Sequence, residues 1–346
     1  MPITISDIAT EAGVSRATVS GVLNKNPNVA EKTRLKVLAI IEKHNFRPNE
    51  IARALALRQT GLIGLIVKDI SNPVYSKISL GVSDTCEAAG YNLVMGNTHT
   101  EPERELEYLN LLQRRRVDGL IILPLQSEID LSVYKELNNE NAPLVLLADL
   151  PGLRADLVRS NDEQGAFDAT NHLIQRGCRN PMYFSGPETF LASQRRMHGF
   201  KRALREANLP ADQKTVQTAG WRLEDGYRAG RLLVENGCDC PDGIFCYNDT
   251  VAIGLMRAMS EAGISVPKQT AVVGFDDSGV SAYLETSLTT VAQPAIEIGK
   301  KAAQLLLEKI QYEGDDWEPQ QHYLPTQLIV RESCGAFPKG KAKISI

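Results

Sequence analysis

Long apolar runs are missing from this 346-residue chain, and none approaches the roughly 18–20 residues a membrane helix needs. The opening Met1-Pro2-Ile3-Thr4 is not a basic segment leading into an apolar one. No export signal is therefore expected, and the expected compartment is the cytoplasm. Cysteine is sparse, with six scattered residues that read as free thiols of a reducing compartment. Cys238-Asp239-Cys240 has no His or Cys pair at zinc spacing nearby and runs into the turn Pro241-Asp242-Gly243, so no metal is expected. The five histidines are dispersed, and no Ser/His/Asp set stands out. There is no Gly-Lys-Ser/Thr phosphate loop, and Gly61 and Gly64 precede a strand rather than follow one, so no nucleotide cofactor is expected. Arg114-Arg115-Arg116 reads as the basic end of a helix.

What is present reads as a soluble protein of two or three domains, 43% hydrophobic and 23% charged. The net charge of −4 argues weakly against nucleic acid until it is divided. Residues 1–60 carry nine Lys/Arg and five Asp/Glu, a head of +4, which leaves −8 on the remainder. A small basic head on an acidic body fits a DNA-binding module joined to something else.

The head patterns as three short helices. Thr4 caps the first, Asp7 sits near its positive end, Ile5, Ile8, Ala9 and Ala12 recur at helical spacing, and Gly13 ends it. Val14 packs inward, and Ser15 caps a second helix to about Leu23. A third is expected from about Glu31 to His44, burying Val37, Leu38 and Ile41. The first two helices with their tight glycine turn form a helix-turn-helix. The start of its second helix should meet base edges in the major groove through Ser15, Arg16, Ala17 and Thr18. Arg16 is the expected reader, because its fork can donate two bonds to guanine. Ser20, Thr33 and Arg34 are expected on phosphates.

Ile5-Ser6-Asp7-Ile8-Ala9, Ala12 through Ser20, Glu31-Lys32-Thr33-Arg34, and Asn45-Phe46-Arg47-Pro48-Asn49 follow in one order. With them the chain resembles the lactose/galactose-repressor (LacI/GalR) family from about residue 3 to about 332. Asn49 to Ala56 looks like that family's hinge helix. The resemblance implies that Leu55 wedges between base pairs in the minor groove. Thr4, Asn49 and Ala52 are counted with the DNA-facing residues. So short a segment cannot hold a helix alone in water, so it should form only when two copies pair on DNA. Two positions depart from the family: Ala30 stands where a capping Ser is usual, and Gly21 where a longer side chain is common. The tail from Ala336 lacks the apolar heptads that join dimers into tetramers in some relatives.

From residue 61 the pattern becomes apolar strands alternating with helices, which indicates parallel sheets covered on both faces. The resemblance implies a two-lobed, periplasmic-binding-protein-like α/β body. Domains are expected at 1–48 (helix-turn-helix), 49–60 (hinge), 61–338 (effector binding and dimerisation) and 339–346 (tail). Lobe 1 is expected to comprise about 62–160 and 291–320, and lobe 2 about 161–289 and 322–338. Polar groups stand at strand ends, where ligands bind in such folds: Asp69 to Tyr75, Ser160-Asn161-Asp162, Asn248-Asp249 and Asp276-Asp277. The resemblance places the effector arginine at Arg196, the stacking aromatic at Trp221, acceptors at Asn248 and Asp276, and a late glutamine at Gln293, with Tyr75 on the opposite lobe. Carboxylate, amide and guanidinium groups facing an aromatic suit a sugar or sugar derivative. A stacked nucleobase, or a sugar acid held by Arg196 beside Arg222, stays open. Phe190 and Ala192 make the pocket less polar than in some relatives.

The expected function is a homodimeric, sequence-specific DNA-binding regulator, a repressor rather than an activator, binding a near-palindromic operator under small-molecule control. The rival is a solute-binding protein or a sugar-processing enzyme with a coincidental head. The basic head and missing export signal weigh against the first, and the missing catalytic set against the second.

Overall fold

The structure is a computed structural model that describes residues 3–23, 26–46, 59–125, 131–235 and 241–335. It divides into two compact units, Met1–Thr60 and Gly61–Ile346.

In the first unit α1 spans Ile5–Ala12, α2 Arg16–Leu23 and α3 Glu31–Lys43. Thr4 and Asp7 cap α1 reciprocally: the Thr4 amide donates to Asp7 Oδ2 at 2.8 Å, and the Asp7 amide donates to Thr4 Oγ1 at 3.4 Å. Gly13 ends α1 at φ 68°, a left-handed position that glycine adopts without strain. The Thr18 amide donates to Ser15 Oγ at 3.1 Å and so starts α2. Ala30 gives α3 no side-chain cap. Ile8, Ala9, Ala12, Val19, Val22, Val37 and Ile40 form the core. Leu38 is 44% exposed, against expectation, and Ile41 packs only partly. On α3 the stripe through Val37, Ile40 and Ile41 faces inward, and Leu38 lies about 100° around the helix from it.

The second unit holds two six-stranded sheets. Chain order is β1 Leu62–Val67, α4 Pro73–Ala88, β2 Asn92–Asn97, α5 Pro102–Gln113, β3 Gly119–Ile122, α6 Leu131–Asn139, β4 Leu144–Leu146 and β5 Leu157–Ser160. It continues with α7 Asp162–Gln175, β6 Pro181–Ser185, α8 Leu191–Glu206, β7 Val216–Thr218, α9 Leu223–Glu235, β8 Gly243–Cys246, α10 Asp249–Glu261 and β9 Ala271–Asp276. Last come β10 Thr289–Ala292, α11 Ala295–Gln311, β11 Gln321–Leu324 and β12 Gln327–Ile329. The first sheet runs β11-β5-β4-β3-β1-β2, all parallel, with Leu65 opposite Ile121. The second runs β12-β10-β9-β8-β6-β7, with β12 antiparallel to β10. The central strands are buried on both faces, which is why they read as unbroken apolar runs.

The chain crosses between lobes three times: from β5 into α7, from β10 into α11, and from β11 into β12. Two expected boundaries are corrected. β11 pairs with β5, His322 opposite Val158, so 321–324 belongs to lobe 1 rather than lobe 2. Ala292 is the last residue of β10 and pairs with Asp276, so lobe 1 resumes only at α11. These strands are short, β11 and β12 are half-exposed sheet edges, and none carries an apolar run to mark it.

Helix pairs in the body touch backbone to backbone. A Cβ added at Gly81 of α4 would fall 2.1 Å from the Ile296 carbonyl oxygen, and one at Gly299 of α11 would fall 2.1 Å from that of Ile78. Gly226 and Gly254 do the same for α9 and α10, against Val251 and Leu223. Among the described residues, no helix is long and apolar enough to cross a membrane.

Candidate functional site: a basic head and a cleft between two lobes

In the head, Ser15, Arg16 and Ala17 are exposed at the start of α2, while Val19 turns into the core. Thr18 and Ser20 are half-buried. Thr4 is committed to the α1 cap. Thr33 and Arg34 are half-buried, and Arg34 braces the preceding turn: its Nη2 donates to the Asn26 carbonyl at 2.6 Å, and its Nε lies 3.5 Å from Glu31. A Cβ on Gly21 would come 3.1 Å from Val29, so the α2–α3 turn packs closely at this glycine. Asn49, Ala52 and Leu55 lie outside the described residues, as does Cys238-Asp239-Cys240.

Between the lobes of the body lie two connecting chambers of about 90 and 80 Å³. They share Asn72, Tyr75, Leu123, Ala148, Ala192 and Tyr247, so they are two ends of one cleft. Ser160, Arg196, Asp276 and Gln293 line the first chamber; Asp69, Trp221 and Asn248 line the second; Tyr75 lines both.

Arg196 is the centre of the first chamber, 4% exposed. Its Nε and Nη2 donate to Asp162 Oδ1 at 3.0 and 2.8 Å, Nη1 donates to the Tyr247 carbonyl, and Nη2 stands 3.8 Å from Asp276. The guanidinium lies 3.6 Å over the Phe275 ring and 4.7 Å from that of Tyr247. Burial opposes its charge, but the Asp162 and Asp276 carboxylates outweigh it and raise its pKa. Ser160 donates to Gln293 Oε1 at 2.8 Å, and Gln293 Nε2 donates to Asp276 Oδ1 at 2.6 Å. This relay runs from the end of β5, through the second crossing, to the end of β9. Burial pushes the Asp276 carboxyl up, against the pull of Arg196, Gln293 and Asn72.

Asp276 and Asp277 hold φ of 109° and 50°. Non-glycine residues there cost about 1–3 kcal/mol each and persist only where neighbours fix them. Arg331 donates to Asp277 Oδ1 at 2.6 Å, and Lys77 of α4 donates to the Asp277 carbonyl at 2.7 Å. Buried Asp249 accepts from the Ser278 amide at 2.7 Å, from Ser281 at 2.6 Å and from Thr290 at 2.5 Å. Burial nevertheless pushes its carboxyl up to about 7.

The second chamber is aromatic. Phe190 and Trp221 sit 5.4 Å apart, tilted by 46°. Asn248 serves first as a positioning residue: its Oδ1 caps α10 through the Val251 amide at 2.8 Å, and its Nδ2 donates to the Trp221 carbonyl at 3.0 Å. Lys68, buried, reaches across the cleft to within 4.5 Å of the Phe190 ring. Burial draws its pKa down to about 8, with the Glu105 carboxylate resisting. Arg222 stands 3.8 Å from Asp69 of the other lobe and 5.2 Å from the Trp221 ring; no contact joins it to Arg196.

Sequence reasoning missed four of these groups: Lys68, Arg159, Arg195 and Tyr247. The available signal was a charged residue inside an apolar strand end, as at Val67-Lys68 and Val158-Arg159. Among the described residues, no group of three or more His, Cys, Asp or Glu could hold a metal ion.

An exposed recognition-helix start and a two-lobed α/β cleft in one chain define a ligand-responsive DNA-binding regulator. The pattern of bacterial regulatory proteins of the lacI family matches residues 4–49, and that of the periplasmic binding protein-like domain matches residues 170–334. The chain is 34% identical over 334 residues to the HTH-type transcriptional repressor PurR of Actinobacillus pleuropneumoniae serotype 3 (strain JL03), covering 95% of this chain and 98% of that protein. It is 35% identical over 330 residues to the ribose operon repressor of Halalkalibacterium halodurans, covering 95% and 96%. The structure superposes on the lac repressor dimer bound to operator and the anti-inducer ONPF with a TM-score of 0.87 and 27% identity, over 97% of this chain and 100% of that one. The chain belongs to the LacI family of bacterial transcriptional regulators.

Proposed function

We propose that the chain is a cytoplasmic repressor, and not an enzyme, that binds a near-palindromic operator as a homodimer and changes its grip when a polyhydroxylated small molecule fills the cleft. The observation that carries this reading is the convergence of Ser160, Arg196, Asp276 and Gln293 from both lobes on one chamber, with Trp221 and Phe190 beside it. The rival reading as a solute-binding protein leaves the exposed Ser15-Arg16-Ala17 helix start without a role. A relative named as a ribose operon repressor supports small-molecule control, with a sugar or sugar derivative the ligand that the carboxylate, amide and aromatic lining favours.

DNA binding is assigned to 1–48 through Thr4, Ser15, Arg16, Ala17, Thr18, Ser20, Thr33 and Arg34. Asn49, Ala52 and Leu55 act in a hinge at 49–60, residues 61–338 bind effector and dimerise, and 339–346 form the tail. Exposed apolar side chains on the body, Leu80 of α4 and Val280 and Tyr283 after β9, support self-association. Ligand binding changes the angle between lobes, which in a dimer moves the two hinge segments together or apart.

The test is a gel shift against duplexes from the protein's own genome. Arg16→Ala is expected to cost about 1–3 kcal/mol at one operator base position, read as binding that no longer distinguishes the base there. Retention of wild-type preference at every position would remove Arg16 from the reading set. Asp276→Asn is expected to abolish ligand-dependent operator release or recruitment and leave the affinity of the free protein for operator unchanged. An intact response would take Asp276 out of the ligand site.

A further inference from the structure

We propose that the natural ligand is a small polyhydroxy acid whose carboxylate is taken by Arg159 and Arg195; this rests on the cleft being the effector site. The charges of the first chamber are unevenly spread. Arg196 lies between two carboxylates, Asp162 and Asp276. Arg159 and Arg195, by contrast, meet one carboxylate: Arg159 Nε lies 2.8 Å from Asp149 Oδ2, and Arg195 pairs with the same oxygen. Arg159 and Arg195 both line the chamber, and Asp149 does not. The Arg159 Nε proton is buried and makes no aligned hydrogen bond despite that short approach. Arg195 has its charge opposed first by burial and then by Arg159. The next carboxylate near Arg195, Asp162, already accepts two N–H groups of Arg196 on its Oδ1.

Arg159 Nη1 donates to the Ser160 carbonyl at 2.9 Å and its plane lies 4.4 Å over the Tyr323 ring, which fixes the guanidinium beside Arg195. Two guanidiniums that share one carboxylate in a cleft are a donor set for a second carboxylate. The same chamber offers acceptors for hydroxyls: Asp276 and the Ser160–Gln293 relay. A chamber that holds two guanidiniums sharing one carboxylate, together with acceptors for hydroxyls, matches a molecule that carries both an acid and hydroxyls. The two arginines also belong to different lobes, Arg159 to β5 and Arg195 to α8. A carboxylate between them ties the lobes together and takes over part of the role of Asp149. Acid recognition and lobe angle are thereby one event.

The test uses the full-length protein and a panel of hexuronates and aldonates, each beside its neutral parent sugar, with hexose phosphates as a third arm. Binding is followed by thermal shift and by operator gel shift. The expected result is that at least one carboxylate acid binds at least 10-fold tighter than its neutral parent and alters operator binding. Arg195→Gln is expected to reduce that preference by about 10- to 100-fold, while Arg195→Lys retains part of it. The ratio of acid to neutral affinity is a readout that a loss of packing alone does not move. If Arg195→Gln fails to fold, Arg159→Gln gives the same reading. Acids that bind no better than neutral parents, an acid preference unchanged in the folded variant, or phosphates bound more tightly than carboxylates overturn the proposal. A neutral sugar or nucleobase that alone controls operator binding would refute the acid and leave the effector reading standing. A protein that ignores every duplex of its genome would refute the latter.

Discussion

Replacing Arg196 with alanine is expected to lower the stability of the body by about 3–5 kcal/mol, the range for removing one partner of a buried ion pair. Three properties put it there. The guanidinium is 4% exposed and supplies bonds to Asp162 and to the Tyr247 carbonyl that no neighbour can replace. Asp162 and Asp276, both nearly buried, would then face each other without a cation between them. The plane stacked on Phe275 would leave a hole lined by that ring. Urea unfolding at pH 7 measures the loss. The sign of its pH dependence is fixed by the carboxylates. Burial already pushes the Asp276 carboxyl up with Arg196 present; without the arginine it holds a proton more readily still, and protonation removes the repulsion. The variant should regain part of its deficit as pH falls toward 4.5. An equal deficit at pH 4.5 and 7.5 would mean that lost packing, not stranded charge, is the cause. Arg196→Lys should recover little, because an ammonium cannot bond Asp162 and the Tyr247 carbonyl from one plane.

The second large effect is expected where no charge is involved. Gly299→Ala exchanges glycine for the best helix former and would gain about 1 kcal/mol on an isolated helix. Here the added methyl would lie 2.1 Å from the Ile78 carbonyl oxygen, a backbone atom that cannot swing aside. The helix must move away from α4, opening the packing of Ile298, Ala302 and Ala303 on Ile78 and Val82. Overpacking of this kind costs about 1–3 kcal/mol, occasionally more, and this site belongs at the upper end. At about 2–4 °C per kcal/mol for a domain this size, the Tm should fall by about 6–12 °C. A Tm equal to or above wild type would show that the two helices are not packed as described.

Much of this was readable beforehand because the chain marks its own boundaries. Thr4, Gly13 and Ser15 each do one local job that sequence alone assigns, and the structure finds all three doing it. The central strands were legible because burial on two faces leaves an unbroken apolar run. What stayed hidden depends on partners far away in sequence. Arg195 and Asp149 stand 46 residues apart, and nothing local pairs them. Asn248 lines the second chamber as expected, but nothing local to it shows that its amide also caps α10 and holds the Trp221 carbonyl. β10, β11 and β12 are strands of three or four residues with polar members, set by their neighbours rather than by their own pattern.

The threefold passage of the chain between lobes has a further consequence for durability. A protease that severs one passage, at 325–326 for instance, leaves two strands of covalent tether. The lobes cannot drift apart, and the severed C-terminal segment is held by the pairing of β12 with β10 and by its side-chain bonds to 288–289. Such a cut would leave the two walls of the cleft joined and would show first on a denaturing gel.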